Sequence, residues 1–197
     1  MKKILLLFAL LMAGFSVEAQ SPVQVEYFRA DPYLFAFQQY QKVESFGVRI
    51  IGDFSGMEKA TLMRYERRDG ILSSEEIPNI FIPISDTVTF FAFAPEKASE
   101  EVELGILADG GRMAFSSFAP EHSSYILMET QLHMPLSIDD EIPIIGYTSG
   151  IAQKVNINGM VFDGIDYCGL RDAHTHPAEW YEKHQIDNYT YYTVRFE

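Results

Sequence analysis

Along the chain, apolar residues recur at every second position far more often than at every third or fourth, and β-branched and aromatic types fill the runs. This is the pattern of strands rather than helices. In Glu101-Val102-Glu103-Leu104-Gly105-Ile106 the alternation is strict, so Val102, Leu104 and Ile106 can face a core while both glutamates face water. Thr87 to Ala94 is apolar on both faces and lies between Pro83 and Pro95, which predicts an inner strand. Further strands are expected at Val25 to Ala30, Leu34 to Tyr40, Val48 to Phe54, Ala60 to Glu66, Met113 to Phe118, Tyr125 to Gln131, Ile142 to Tyr147, Lys154 to Ile157, Met160 to Phe162 and Thr190 to Phe196.

Asn158-Gly159 separates Val155-Asn156-Ile157 from Met160-Val161-Phe162, the signature of a two-residue hairpin loop with positive φ at both turn positions. Asp109-Gly110-Gly111 and Arg68-Asp69-Gly70 predict two more tight reversals. The one helix expected is Pro177 to Gln185, with proline in the first turn, where its missing N–H costs nothing. Short strands at close spacing imply an all-β class: a single antiparallel β-sandwich, Ig-like or jelly-roll-like, over residues 20–197, with one short helix near the C-terminus.

The amino terminus adds a destination. Lys2 and Lys3 form a basic region, Ile4 to Met12 an unbroken apolar run, and Val17-Glu18-Ala19 a small-residue cleavage site, so residues 1–19 read as a signal peptide and export to the periplasm or beyond is expected. Leu11-Met12-Ala13-Gly14 leads to Phe15 and not to a cysteine, which argues against a lipid anchor, and no second membrane-length apolar run is present, so no transmembrane segment is expected after cleavage. A net charge of −13 argues against nucleic acid and anionic membrane surfaces as partners. Cys168 is the single cysteine, so no internal disulfide can form, and a buried, inert thiol is expected there.

Candidate chemistry concentrates near the C-terminus. In Asp172-Ala173-His174-Thr175-His176-Pro177, an extended backbone would turn both imidazoles to one face, where with a carboxylate such as Glu179 they could hold zinc or a similar divalent cation. The string resembles the Asp-x-His-x-His motif of the amidohydrolase superfamily, over these six residues only. That family needs a barrel of roughly 250 residues, whereas only Ala178 to Glu197 follow the motif here. The resemblance therefore implies a local metal site at most.

Aromatic residues offer a second candidate. Tyr189 and Tyr191 fall on one face of the expected terminal strand, with Trp180 and Tyr181 just upstream. Exposed rings of this kind can stack sugars, while the competing reading packs them as strand residues. In export signal, length and strand pattern from Ala60 to Leu107, the chain resembles uncharacterised secreted all-β proteins, domains of unknown function, from gut Gram-negative bacteria. That resemblance implies a sandwich and assigns no activity. Two functional expectations result. One is an exported, non-catalytic binding or structural module with no cofactor, whose partner is a glycan or another extracytoplasmic protein. The other is a metal-dependent or glycan-active hydrolase using His174 and His176.

Overall fold

The alternation at 102–106 appears in space as a strand with Val102, Leu104 and Ile106 buried and Glu103 exposed. It belongs to a two-layer architecture. The structure, a computed structural model, describes residues 22–29, 31–77, 86–97, 100–122, 124–130, 132 and 135–197, and only the backbone of residues 32–35 and 37. The signal-peptide expectation for residues 1–19 lies outside the described residues.

Thirteen strands are described: β1 (Pro22–Phe28), β2 (Val43–Ile51), β3 (Ala60–Arg68), β4 (Ile71–Glu76), β5 (Thr87–Pro95), β6 (Val102–Ala108), β7 (Arg112–Phe118), β8 (Ile126–Glu129), β9 (Leu136–Ser137), β10 (Ile142–Thr148), β11 (Ile151–Ile157), β12 (Met160–Asp166) and β13 (Tyr189–Phe196). A six-stranded sheet runs β7-β6-β5-β2-β1-β9, a five-stranded sheet runs β4-β3-β13-β10-β8, and β11 and β12 pair only with each other. Every pairing is antiparallel. The chain is an all-β sandwich: Val48, Ile50, Val88 and Phe90 of one sheet and Leu62, Ile142, Tyr147 and Val194 of the other belong to one buried cluster. No helix among the described residues is long and apolar enough to cross a membrane.

β5 lies between β2 and β6, as its two-sided apolar pattern requires. Its outward residues Phe91 and Phe93 are half-buried because rings on neighbouring strands cover them: Phe28 meets Phe91 edge-on at 5.3 Å, and Phe115 meets Phe93 at 6.1 Å. Gly105 makes room for this layer, since a Cβ there would stand 1.9 Å from the Phe93 ring. The Asn158-Gly159 turn has φ of 54° and 88°, and the Gly159 N–H donates to Asn156 Oδ1 at 2.9 Å, so the hairpin forms as its sequence dictates.

Two expectations need correction, and a third is refined. Leu34 to Tyr40, read as a strand, lies in a helix, α1 (Pro32–Gln41). The short apolar run fits both periods. What decides it is Asp31-Pro32 at its start, a cap-type residue followed by proline in the first turn, and left-handed Lys42 (φ 55°) at its end. Cys168, expected buried, is exposed. It lies on the short helix α2 (Tyr167–Asp172), whose Leu170 points into the protein, and two residues apart on a helix is the opposite side. The stretch Pro177 to Gln185 is helical but divided, as a 3₁₀ turn (Pro177–Glu179) and α3 (Trp180–His184), closed by left-handed Gln185.

This C-terminal layer covers the outer face of the five-stranded sheet. Trp180, Leu170, Ile186, Met128, Tyr189 and Tyr191 form a second buried cluster there. Gly146 of β10 provides the seat, because a Cβ on it would come within 2.5 Å of the Trp180 ring.

Candidate functional site

The histidine and aromatic residues singled out in the sequence meet at this outer layer, and their bonds are structural. The His176 ring accepts at Nδ1 from the Ala178 N–H at 3.1 Å, capping the 3₁₀ turn. Thr175 ties the segment together: its carbonyl accepts from the Trp180 indole at 3.2 Å, and its hydroxyl lies 3.2 Å from His184 Nε2. Glu179 pairs with Lys183 at 2.9 Å, one helical turn on. His174 sits just past α2 in a left-handed conformation (φ 47°), its N–H bonded to the Arg171 carbonyl, so the extended backbone that would align the two imidazoles is not formed. Among the described residues no three His, Cys, Asp or Glu side chains gather to hold a metal ion.

The four aromatic candidates divide. Trp180, Tyr189 and Tyr191 are 1%, 0% and 2% exposed, so they present no ring face to a sugar. Tyr181 is partly exposed, but the Arg67 guanidinium lies 3.9 Å over its ring and reaches Glu182 at 3.5 Å. Tyr189 and Tyr191 are strand residues packed under the short helix that carries Trp180 and Tyr181.

Burial lowers the pKa of His176 below its ordinary value, with Glu179 and Glu141 opposing the shift, and burial together with Lys183 lowers that of His184. A proton that binds the unfolded chain more readily than the fold favours unfolding, so this stabilisation is complete above about pH 6.5 and is lost as pH falls through the folded-state value. His176→Asn retains a capping acceptor and removes the titration. Its melting temperature is expected to fall less than the wild-type value between pH 7.5 and 5, as scanning calorimetry can measure; parallel pH profiles would contradict this.

A different site forms where the two sheets present their free edges. On β3, Leu62 faces the core, and Arg64 and Glu66 follow on the same side of the strand. The Arg64 side chain is only 10% exposed. Its Nε donates to Thr190 Oγ1 at 3.4 Å, Nη1 to Glu75 Oε1 at 2.9 Å, and Nη2 to both Glu66 Oε2 at 2.5 Å and the Ser117 carbonyl at 2.6 Å. Glu66 is also held by Arg68 at 2.6 Å. Arg64 thus links β3 to its neighbours β4 and β13 and, across the opening, to edge strand β7 of the other sheet. Beside it the Ser116 and Tyr192 hydroxyls bond each other, and burial raises the Tyr192 pKa.

Two pockets, of about 250 and 400 Å³, share Arg64 and Glu75. The first is completed by Glu66, Ser73 and Ser74. Ser116, Ser117 and Phe115 help line the second, and Phe115 is 55% exposed. Arg64 and Glu75 therefore stand between two adjoining pockets, one adding Glu66 and two serines and the other the exposed Phe115 ring and two further serines, which together make up the Arg64 cleft. The sequence offered a signal that was missed: Arg64 and Glu66 share the core parity of Leu62, and a charge at core parity is costly unless a partner meets it.

A third place is weaker. A groove of about 540 Å³ between the β11–β12 hairpin and residues 122 and 124 is lined by His122, Ser124, Lys154 and Asp163 among others. Its charged pair, Lys154 and Asp163, is 70% and 87% exposed, so neither charge is held in place by burial. Comparison with protein families, with curated proteins and with solved structures finds no match to this chain.

Proposed function

We propose that the chain is a non-catalytic binding module that acts outside the cytoplasm and takes its ligand in the Arg64 cleft. The observation that carries this reading is the convergence of a nearly buried guanidinium, Glu75, serine hydroxyls and the exposed Phe115 ring on the two adjoining pockets of this cleft. A few polar groups of fixed orientation beside an apolar surface is the usual make-up of a small-ligand site. Arg64 is fixed by Thr190, Glu66 and the Ser117 carbonyl, so it costs little ordering when a ligand binds. The export part of the proposal rests on residues 1–19 of the sequence.

The hydrolase reading has less support, because His176 is spent on a helix cap and Glu179 on Lys183. Differential scanning fluorimetry against saccharides, short peptides and nucleotides tests the binding reading. A ligand present well above its Kd stabilises the fold by mass action, about 2.7 kcal/mol at a hundredfold excess. At least one compound class is expected to raise the melting temperature of the wild type and not of Ser73→Trp, whose indole would stand in the pocket that Ser73 lines beside Arg64 and Glu75. Equal stabilisation of both proteins would place the ligand elsewhere.

A further inference from the structure

We infer that the ligand of this cleft is a neutral saccharide, held through a vicinal diol by Arg64 and Glu75 with a sugar ring laid on Phe115; this rests on the binding reading above. The charge balance comes first. With Arg68 also on Glu66, two guanidiniums face two carboxylates, Glu66 and Glu75, and the cluster is locally neutral, while the whole chain carries −13, so anionic ligands are repelled at long range and the cluster offers no unbalanced charge to a cation. A neutral ligand meets neither penalty.

The hydrogen-bonding pattern then selects a polyol. Among the described residues, Arg64 uses Nε, one hydrogen of Nη1 and both of Nη2, which leaves one of its five donors, on Nη1. Glu75 is 60% exposed and gives one oxygen to Arg64, so its other oxygen can accept. Nη1 and Oε1 stand 2.9 Å apart. Neighbouring hydroxyl oxygens on a sugar ring are also about one hydrogen-bond length apart, so one hydroxyl can accept from Nη1 while the next donates to Glu75. Ser73, Ser74 and Ser116 line the walls; Ser73 already donates to the Glu66 carbonyl and Ser116 bonds Tyr192, and the lone pairs of these hydroxyls suit donation from further sugar hydroxyls.

Phe115 supplies the apolar surface. Phe93 buttresses its ring edge-on, and Phe93 itself lies over Gly105, so the exposed ring is held by the sheet. A pyranose presents C–H groups on its face, which pack on an aromatic ring while its hydroxyls stay at the rim.

Isothermal titration of the purified chain with cello-, xylo-, manno- and maltohexaose, and with hexagalacturonate as the anionic counterpart, tests the inference. At least one neutral hexasaccharide is expected to bind. Its affinity should fall about tenfold in Glu75→Gln, the worth of one charge-assisted hydrogen bond, and by a similar factor in Phe115→Ala, with both variants folded by circular dichroism. Tighter binding of hexagalacturonate, neutral binding that both variants retain, or no binding of any hexasaccharide would overturn it. In the last case a non-sugar that stabilises the wild type but not Ser73→Trp would leave the cleft standing as a site, whereas no such compound would remove both conclusions.

Discussion

Trp180→Ala is expected to cost about 4 kcal/mol, as for large aromatic deletions from a core, and to lower the melting temperature by about 10 °C. The side chain is 1% exposed, packs at 5.3 Å on Tyr189, fills the space that Gly146 leaves open and donates to the Thr175 carbonyl. Removing it would open a cavity under α3 and break the bond that fixes the His174-to-His176 segment. Calorimetry of the variant decides between two roles for this tryptophan. A variant that melted at the wild-type temperature but had lost ligand binding would restore the aromatic-platform reading.

The second large effect concerns Arg64. Arg64→Met is expected to destabilise by about 3 kcal/mol, the low end of the range for breaking a buried ion pair, because Glu66 retains Arg68 and Glu75 is largely exposed. Much of that cost is the charge left on Glu66, whose side chain is 19% exposed. Arg64→Met/Glu66→Gln is therefore expected to be more stable than Arg64→Met alone, measured by urea denaturation. A double variant less stable than the single one would show that the two side chains are not coupled in this way.

Which parts of this molecule could be read from its residues follows from what each part packs against. Strands with one wet face, such as β6, declare themselves by alternation, and β5 declares itself by apolar residues on both sides. β4 does not, since all six of its residues are exposed and no buried face imprints a pattern on them. The Asn158-Gly159 hairpin is fixed locally by turn chemistry, so it was legible without any tertiary contact. The helix α1 was misread because five consecutive apolar residues, 33–37, fit either period, and the deciding signal lay at its boundary.

The candidate site was less legible for a related reason. Arg64, Glu75 and Ser116 come from three strands in two sheets, and their meeting depends on β4 and β7 both being edges, which no local spacing reveals. The C-terminal histidines drew attention because they are adjacent in sequence, yet a residue's neighbour along the chain is not its neighbour in the fold: His176 meets Ala178 and Tyr191, and His184 meets Thr175. The tyrosines of β13 were legible as alternating on two faces. What the sequence lacked was the covering layer, since only the packing of Trp180 on Gly146 turns that outer face into a second core.

The most direct test of where this protein binds is a side-chain NMR titration that follows the Arg64 Nε–H and the Trp180 indole N–H together as a stabilising saccharide is added. A saturable shift of the Arg64 signal with the indole unmoved is the predicted result. A shifting indole beside a stationary Arg64 would contradict it, and would place the ligand on the C-terminal layer instead of the cleft.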